Sequence, residues 1–271
     1  MEVVSANPQM IWVEVEPAEV IRVGSVVGVD TATPLEGVQP IPVAAGASNT
    51  TNKDIPFGVV VGTNNTAENE EFDSTNKCAI ITQVAAGAVY GATKQYTGVG
   101  GPYSRNDPQA FVKIALIDPT TILRARIFNA AVGTAPTAVA VSTTSGGDGI
   151  GCSTAAVDVA PIANFATMYI RSGANAGVYR TLTSTSTTAH TWLKAVKSEI
   201  AIGDTLVAIN GLRPYGLSKC QFDAEALYID CSAALTSDNF HIDVVRLDLS
   251  VAGNEYVDFR FNADNFCSTR G

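Results

Sequence analysis

The clearest pattern along the chain is a pair of runs, residues 240–250 and 255–266, in which hydrophobic and polar residues alternate. A period of two places successive side chains on opposite faces of an extended strand, so each run predicts a β-strand with one buried face. A short Val-Ala-Gly-Asn connection joins the two runs and predicts a hairpin. The chain therefore ends in a long two-stranded element, and its scaffold is predicted to be all-β.

The alternation also assigns side chains of the first run to its two faces. Val245, Leu247 and Leu249 fall on one face, and Val244 and Arg246 fall on the other. One of these faces is expected in the core, and the other in solvent or against a partner.

Further strand-like segments precede this hairpin, separated by turns and by loops rich in Gly, Pro, Thr and Asn. In the first half they are residues 11–15, 21–29, 55–61, 78–84, 89–93 and 110–117. In the second half they are residues 138–142, 167–172, 178–183, 190–196, 204–210 and 221–230. A strand-to-strand spacing of about 8 to 15 residues is typical of β-sandwiches and jelly rolls. A helical turn within residues 156–166 and a short helix within 191–200 are the expected exceptions.

The chain is long enough, at 271 residues, for two domains. The turn signal Asp118-Pro119 follows a complete set of strands, so the domain boundary is placed near residue 123. Residues 1–12 have little periodicity and contain Asn7-Pro8, which predicts an extended N-terminal arm. The predicted organisation is an arm over 1–12, one β domain over 13–123 and another over 124–271.

Charged residues are scarce in this composition. They make up 16% of the chain, below the usual ~25%, while hydrophobic content is an ordinary 46%. Such a chain either has a neutral, hydroxyl-rich surface or covers much of its surface with other subunits. The net charge of −9, with Lys and Arg scattered, argues against nucleic-acid binding, which needs clustered cations.

Neither secretion nor a membrane span is predicted. The first residues lack the basic and apolar regions of a signal peptide, and the longest uncharged window, residues 127–147, is interrupted by Gly133 and Pro136. Five cysteines without a Cys-x-x-Cys motif then favour reduced thiols. Cys220 and Cys231 are the first pair to consider for the alternative, a structural disulfide.

Residues that carry chemistry do not form a recognisable catalytic or metal-binding motif. His241 and Asp243 would share a strand face, which would allow the carboxylate to orient the imidazole, but no Gly-x-Ser-x-Gly nucleophile motif accompanies them. A hydrogen-bonded surface or interface pair is the preferred interpretation. No histidine or carboxylate spacing matches a zinc or calcium motif. No catalytic, cofactor or metal residues are therefore assigned, and the chain is not expected to be an enzyme.

Two further groups of side chains leave alternatives open. Carboxylates recur at strand spacing at Glu14 and Glu16 and at Asp223 and Glu225, where a solvated or partner-facing edge is preferred over the facing pair of a glycosidase. Five aromatic side chains have the chemistry to stack on sugars, although aromatics spread over strands are more often core or interface residues. These aromatic residues are Trp12, Tyr169, Tyr179, Trp192 and Tyr215.

Several short Gly-centred segments give the chain a resemblance to a known class of virion proteins. In the first half these are Gly24-Ser-Val-Val-Gly-Val-Asp, Ile55-Pro-Phe-Gly-Val-Val-Val-Gly and Ala85-Ala-Gly-Ala-Val-Tyr-Gly-Ala. In the second half they include Arg171-Ser-Gly-Ala-Asn-Ala-Gly-Val-Tyr-Arg, Ile202-Gly-Asp-Thr, Leu212-Arg-Pro-Tyr-Gly, Gln221-Phe-Asp and Phe259-Arg-Phe-Asn-Ala-Asp. Taken over its whole length, the chain resembles the capsid decoration (cement) proteins of tailed bacteriophages.

This resemblance implies a fold, a location and partners. It implies a small β-barrel or β-tulip-like domain facing the capsid over 13–123, and an outward-facing, jelly-roll-like antiparallel β-sandwich over 124–271. The partners would be the major capsid protein and two further copies of the chain in a homotrimer, on the outer surface of a virion assembled in the host cytoplasm. No nucleic acid, membrane or cofactor is implied. Ile11, Trp12, Pro56 and Phe57 are the expected capsid-binding residues, and the arm would add a strand to an exposed sheet edge of the capsid protein.

Two other classes of function remain open from the sequence. A virion fibre or adhesin module that binds host-surface glycan would need clustered Trp or Tyr with Asp or Asn, and the sequence scatters these residues. A polysaccharide hydrolase or esterase is disfavoured by its lone histidines and by the lack of a facing carboxylate pair.

Overall fold

The computed structural model describes residues 1–5, 8–16, 18–29, 37–41, 55–64, 71–82, 110–144, 149–232 and 240–266. These residues form an all-β protein, as predicted, and the only helix among them is the 3₁₀ helix Ala263–Phe266. In the first half the strands are β1 (Glu2–Val3), β2 (Met10–Glu14), β3 (Val20–Arg22), β4 (Val26–Val29), β5 (Gln39–Pro40), β6 (Ile55–Thr63), β7 (Glu71–Asp73), β8 (Cys78–Thr82) and β9 (Phe111–Leu116). In the second half they are β10 (Leu123–Phe128), β11 (Val139–Thr144), β12 (Gly151–Thr154), β13 (Ala166–Ile170), β14 (Tyr179–Thr181), β15 (Ala189–Thr191), β16 (Thr205–Asn210), β17 (Gly216–Phe222), β18 (Tyr228–Asp230), β19 (Phe240–Asp248) and β20 (Tyr256–Phe261).

The centre of the structure is a closed five-stranded barrel in the order β10-β18-β17-β19-β20, which returns to β10. Closure depends on β10, which pairs antiparallel with β20 on one side and parallel with β18 on the other. β1 pairs with β10 beside β18. A sandwich of two antiparallel sheets was expected here. The sheet closes into a barrel instead, because β10 hydrogen-bonds to both β18 and β20, the two ends of the row of C-terminal strands β18-β17-β19-β20.

The residues between β10 and β17 form a second sheet, inserted into the barrel sequence. It has six antiparallel strands in the order β14-β13-β16-β11-β12-β15 and curves into a half-barrel. Its terminal strands approach each other at an isolated bridge between Leu182 and Trp192. Its concave face holds a core that includes Met168, Leu182 and Trp192.

Two smaller antiparallel sheets form the first half. One has five strands in the order β2-β9-β6-β4-β5, and the other has three in the order β3-β8-β7. A core that includes Ile21, Ile81 and Val112 joins these two sheets to each other. On the other face of the five-stranded sheet, Val26 and Val59 belong to the same core as the barrel strands. The hydrophobic core is therefore continuous across the boundary placed near residue 123, and the division into domains stays a prediction.

The C-terminal hairpin forms as predicted, but a bulge changes which side chains of its first strand are buried. The register between β19 and β20 shifts between Val244 and Arg246, so that Val245 is the extra residue. Val244 is then 4% exposed and Val245 50% exposed. The assignment of Val245 to the same face as Leu247 was therefore wrong, because one inserted residue reverses the alternation.

Other details of the sequence interpretation are also resolved. No helix forms within 191–200; residues 189–191 instead form β15, whose neighbour Trp192 closes the half-barrel. The segment predicted as an arm is paired within the chain, β1 with β10 and β2 with β9.

Cys78, Cys152, Cys220 and Cys231 are free thiols, as predicted, and Cys267 lies outside the described residues. The strand predicted over 89–93 also lies outside the described residues. Within the described part of the chain, no helix is long and apolar enough to cross a membrane.

Candidate functional site

An open groove of about 970 Å³ lies between the five-stranded sheet and the barrel. We call it the N-terminal groove, because β1 and the start of β2 form part of its wall. Its lining includes Met1, Val3, Met10, Val61, Arg124, Arg126, Tyr228 and Tyr256. It combines apolar side chains from the N-terminal strands with arginines and tyrosines from the barrel, a composition suited to binding another macromolecule.

The N-terminal residue is fixed at the inner end of this groove. The α-amino group of Met1 donates a hydrogen bond to the carbonyl oxygen of Gly24, and burial lowers the pKa of this amine to about 6. Gly24 has a φ of +98°, and a Cβ added there would lie 3.1 Å from the Met1 nitrogen. A glycine is therefore required at position 24 both for its backbone conformation and for the close approach of Met1.

Two hydrophobic side chains of the groove face solvent. Met10, at the start of β2, is 45% exposed, and Val61, in β6, is 42% exposed. Val61 is turned outward by a bulge, because the register of β6 against β9 shifts between Val60 and Gly62. The structure therefore exposes apolar surface at the groove through a local irregularity of the sheet.

The two arginines of the groove differ in how their charges are compensated. Arg124 makes a bidentate pair with Asp258, at 2.7 and 2.9 Å, and its guanidinium lies 4.4 Å from the centre of the Tyr256 ring. The hydrogen bonds to Asp258 raise the pKa of Arg124 above its usual value. Arg126 donates to the Gly253 carbonyl at 2.7 Å and has no carboxylate within ion-pair distance among the described residues. Within the described part of the chain, Arg126 is thus a cation of the groove without a carboxylate partner.

The four residues predicted to bind a capsid lie on the two strands that flank β9. Ile11 and Trp12 are in β2, and Pro56 and Phe57 are in β6, so β9 separates the two pairs. Pro56 is buried, and Ile11 and Phe57 pack against the core between the five- and three-stranded sheets. Trp12 is half-buried. A role for these residues in capsid binding stays a prediction. The same two strands also carry the exposed apolar residues Met10 and Val61.

Among the residues of the N-terminal groove, sequence reasoning pointed only to those of the predicted arm, residues 1–12. The lining residues come from eight strands and from positions as distant as Met1 and Tyr256, and no local motif links them. The only local signal was the extra residue in the Val59-Val60-Val61-Gly62 run, whose glycine accompanies the bulge.

The histidines are placed in two different environments. Asp243 directs its carboxylate to Arg260, with Oδ2 3.6 Å from Nε, while the backbone carbonyl of His241 accepts hydrogen bonds from Asn262 and Asn265. His190 is 1% exposed, and its Nε2 lies 2.8 Å from the Thr154 hydroxyl oxygen. Burial lowers the pKa of His190 to about 4, so the ring is neutral at neutral pH.

Asp223 and Glu225 lie in the turn between β17 and β18. Asp223 accepts hydrogen bonds from the backbone nitrogens of Leu227 and Tyr228, at 2.7 and 2.6 Å, and so fixes this turn. Burial, with the neighbouring Glu225 carboxyl adding to it, raises the pKa of Asp223 to about 6. Within the described ranges, no three His, Cys, Asp or Glu side chains are grouped to share a metal ion.

The aromatic residues considered for sugar stacking divide between the two halves of the structure. Trp12 lies in β2, whereas Tyr179, Trp192 and Tyr215 line a second groove at the half-barrel sheet. The ring of Tyr169 packs against that of Tyr179 at 4.6 Å between centroids. The fold thus gathers three aromatic residues that the sequence separates by up to 36 positions, from 179 to 215.

Comparison with known proteins adds no relative. No protein-family model, curated protein sequence or solved structure matches the chain.

Proposed function

We propose that the protein is a structural virion component that binds the outside of an icosahedral phage capsid and stabilises it by clamping adjacent major capsid protein subunits. The observation that carries this proposal is the exposed apolar surface of Met10 and Val61 on a hydrogen-bonded sheet, beside the cation Arg126. A capsid subunit with a complementary apolar and acidic surface would bury all three side chains.

In this proposal the domain expected over 13–123 contacts the capsid through its five-stranded sheet, which carries Met10 and Val61. The half-barrel sheet, and the rest of residues 124–271 outside the N-terminal groove, point outward. The protein acts as a homotrimer, with the major capsid protein as its partner and with no part taken by nucleic acid, a membrane, a cofactor or a catalysed reaction. Low charge over the chain favours burial of surface between subunits. Many modest contacts repeated over a shell then combine through avidity to hold neighbouring capsomers together.

Cosedimentation with capsid shells tests this proposal. Expanded shells of the corresponding virus, stripped of the protein, are mixed with the wild-type chain and with the double variant Met10→Glu/Val61→Glu. We expect about tenfold weaker binding by the variant, because two carboxylates would have to be desolvated at the interface. Deleting the first ten residues is a poorer test, since Met1 and Val3 pack against the barrel core.

Phe72→Glu serves as the matched control. Phe72 is 59% exposed on β7, is absent from the N-terminal groove, and receives the same new charge. Circular dichroism and thermal unfolding establish that each variant is folded. Equal binding by wild-type and double variant, or an equal loss in the Phe72 variant, would contradict the assignment of the groove as the capsid contact.

A second candidate function is that of a virion fibre or adhesin module that binds host-surface glycan. One observation favours it: Tyr179, Trp192 and Tyr215, which the sequence scatters, line one groove.

A further inference from the structure

The groove at the half-barrel sheet has a volume of about 260 Å³. We call it the Tyr215 groove, and its principal lining residues are Tyr179, Arg180, Trp192, Leu193, Lys194 and Tyr215. The volume is below the range of about 300–1,000 Å³ that is usual for pockets holding drug-sized ligands. It is therefore suited to a single ring rather than to an extended ligand.

One wall of the Tyr215 groove is apolar, aromatic and open to solvent. Tyr215 is 77% exposed and Leu193 is 88% exposed. Two other aromatic residues of the groove are anchored: the Trp192 indole donates from Nε1 to the Gly149 carbonyl at 2.9 Å, and the Tyr179 hydroxyl donates to the Leu247 carbonyl at 2.7 Å. An exposed aromatic ring beside a fixed aromatic floor offers a flat apolar surface on which a ligand ring can stack.

The groove is also positively charged. The Arg180 guanidinium is held by three backbone carbonyls: Nε donates to Lys194 at 2.7 Å, Nη1 to Tyr179 at 2.8 Å, and Nη2 to Ala195 at 2.8 Å. These bonds leave two of its five N–H groups available. Among the described residues, no carboxylate lies within ion-pair distance of Arg180 or Lys194. Arg180, held in place by its three carbonyls, and the exposed Lys194 beside it therefore favour an anionic ligand.

We propose that the Tyr215 groove binds a carboxylate-bearing saccharide, with a pyranose ring against Tyr215 and its carboxylate at Arg180 and Lys194. This inference deepens the second candidate function and is independent of capsid binding. The side chains of Thr181, Thr183 and Asn164, which also line the groove, supply hydroxyl and amide partners for the sugar hydroxyls.

The surroundings of the groove favour a saccharide over an acidic peptide. A peptide that adds to a sheet requires an open strand edge. Here the chain after β14 already pairs with the chain around β15, through the Leu182–Trp192 bridge and the hydrogen bond from the Thr183 nitrogen to the Thr191 carbonyl at 2.8 Å.

Binding of glucuronic acid to the full chain, followed by NMR titration, tests the inference. Glucose serves as the neutral match and hexaglutamate as the acidic peptide. We expect glucuronate to bind more tightly than glucose, and its affinity to fall at high salt. Tyr215→Ala should weaken glucuronate binding about tenfold and Lys194→Gln about fivefold, from the loss of one ring contact and one cation.

Two variants outside the groove are the controls. Phe72→Ala removes an exposed aromatic ring from β7, and Lys197→Gln removes an exposed lysine three residues from Lys194. Both should bind glucuronate as the wild-type does. Equal glucuronate and glucose affinities would overturn the role of the cations while leaving glycan binding in place. Binding of hexaglutamate alone, or glucuronate binding that neither groove variant weakens, would overturn the saccharide site itself.

Discussion

Arg171 and Glu255 form a buried ion pair, with Nη2 of the arginine 2.7 Å from Oε1 of the glutamate. The Glu255 side chain is fully buried and that of Arg171 is 13% exposed. Arg171 directly follows β13 of the half-barrel sheet, and Glu255 directly precedes β20 of the barrel. The same guanidinium donates to the Leu249 carbonyl from Nε and Nη2, at 3.0 and 2.8 Å. One side chain thus joins the inserted sheet to the C-terminal hairpin.

Arg171→Met should strongly destabilise the protein. The substitution leaves the Glu255 carboxylate buried without a cation, and removal of one partner of a buried pair usually costs about 3–5 kcal/mol. Urea unfolding at neutral pH measures this loss in the free energy of unfolding.

Two further variants make that measurement specific. Arg171→Met/Glu255→Met should recover most of the lost stability, because apolar replacement of a whole buried pair is often nearly neutral. Arg246→Met breaks the 2.9 Å pair with Asp248, in which the arginine is 59% exposed, and should cost less than about 1 kcal/mol. A double variant no more stable than Arg171→Met would show that the pair is not what joins the two sheets.

Gly58→Ala should destabilise the five-stranded sheet, whereas Gly62→Ala in the same strand should not. A Cβ at position 58 would lie 2.9 Å from the Ala115 carbonyl oxygen and 2.9 Å from Cδ1 of Ile114. At position 62 the nearest of the other atoms would be Cβ of Lys113, at 3.9 Å. We expect a loss of about 1–3 kcal/mol for the first variant and almost none for the second. Equal thermal unfolding temperatures for the two variants would refute the close approach of β9 to Gly58.

His190 should make the protein less stable as the pH falls. Burial lowers the pKa of His190 to about 4 from the ordinary value of 6.5. The unfolded chain therefore takes up a proton that the folded chain excludes, and the free energy of unfolding decreases as the pH falls from about 6.5 to about 4, by up to about 3 kcal/mol. In a Gln variant at this position this contribution is removed, so the free energy of unfolding relative to the wild-type protein should rise as the pH falls from about 6.5 to about 4, as measured by urea unfolding. His241→Gln, on β19, is the control and should keep the pH profile of the wild-type protein.

Asp223 should give the free energy of unfolding the opposite dependence on pH, over nearly the same pH range. Its pKa is raised by burial to about 6 from 3.8, so the folded chain keeps a proton that the unfolded chain has lost. The free energy of unfolding then decreases as the pH rises from about 4 to about 6. The two effects offset each other in the wild-type protein. Asp223→Asn should therefore be more stable at pH 6.5 than at pH 4, and His190→Gln should be more stable at pH 4 than at pH 6.5. If the free energies of unfolding of the two variants changed with pH in parallel, the two assignments would be contradicted.

The sequence predicted most strands but not how they assemble. The sequence placed β9, β13, β16 and β19 within a few residues, because each is a short run rich in apolar residues. It did not show that residues 21–29 form two strands, since Gly24 turns the chain between β3 and β4. Barrel closure depends on the parallel contact between β10 and β18, about 100 residues apart, and no local pattern specifies such a contact.

The grooves were less predictable still. Val61 and Val245 are both exposed by bulges, and a bulge reverses the alternation on which a sequence interpretation depends. Arg180 was not singled out, because its significance comes from the three carbonyls that hold it and from the absence of a carboxylate among the described residues near it.

The most direct test of the central claim is a cryo-electron microscopy reconstruction of expanded capsid shells after incubation with the purified protein. The proposal predicts added density on the outer surface, three copies at each threefold and quasi-threefold position, with the face containing Met10 and Val61 against the shell. Shells without added density, or density that contacts the shell only through residues 124–271, would contradict it.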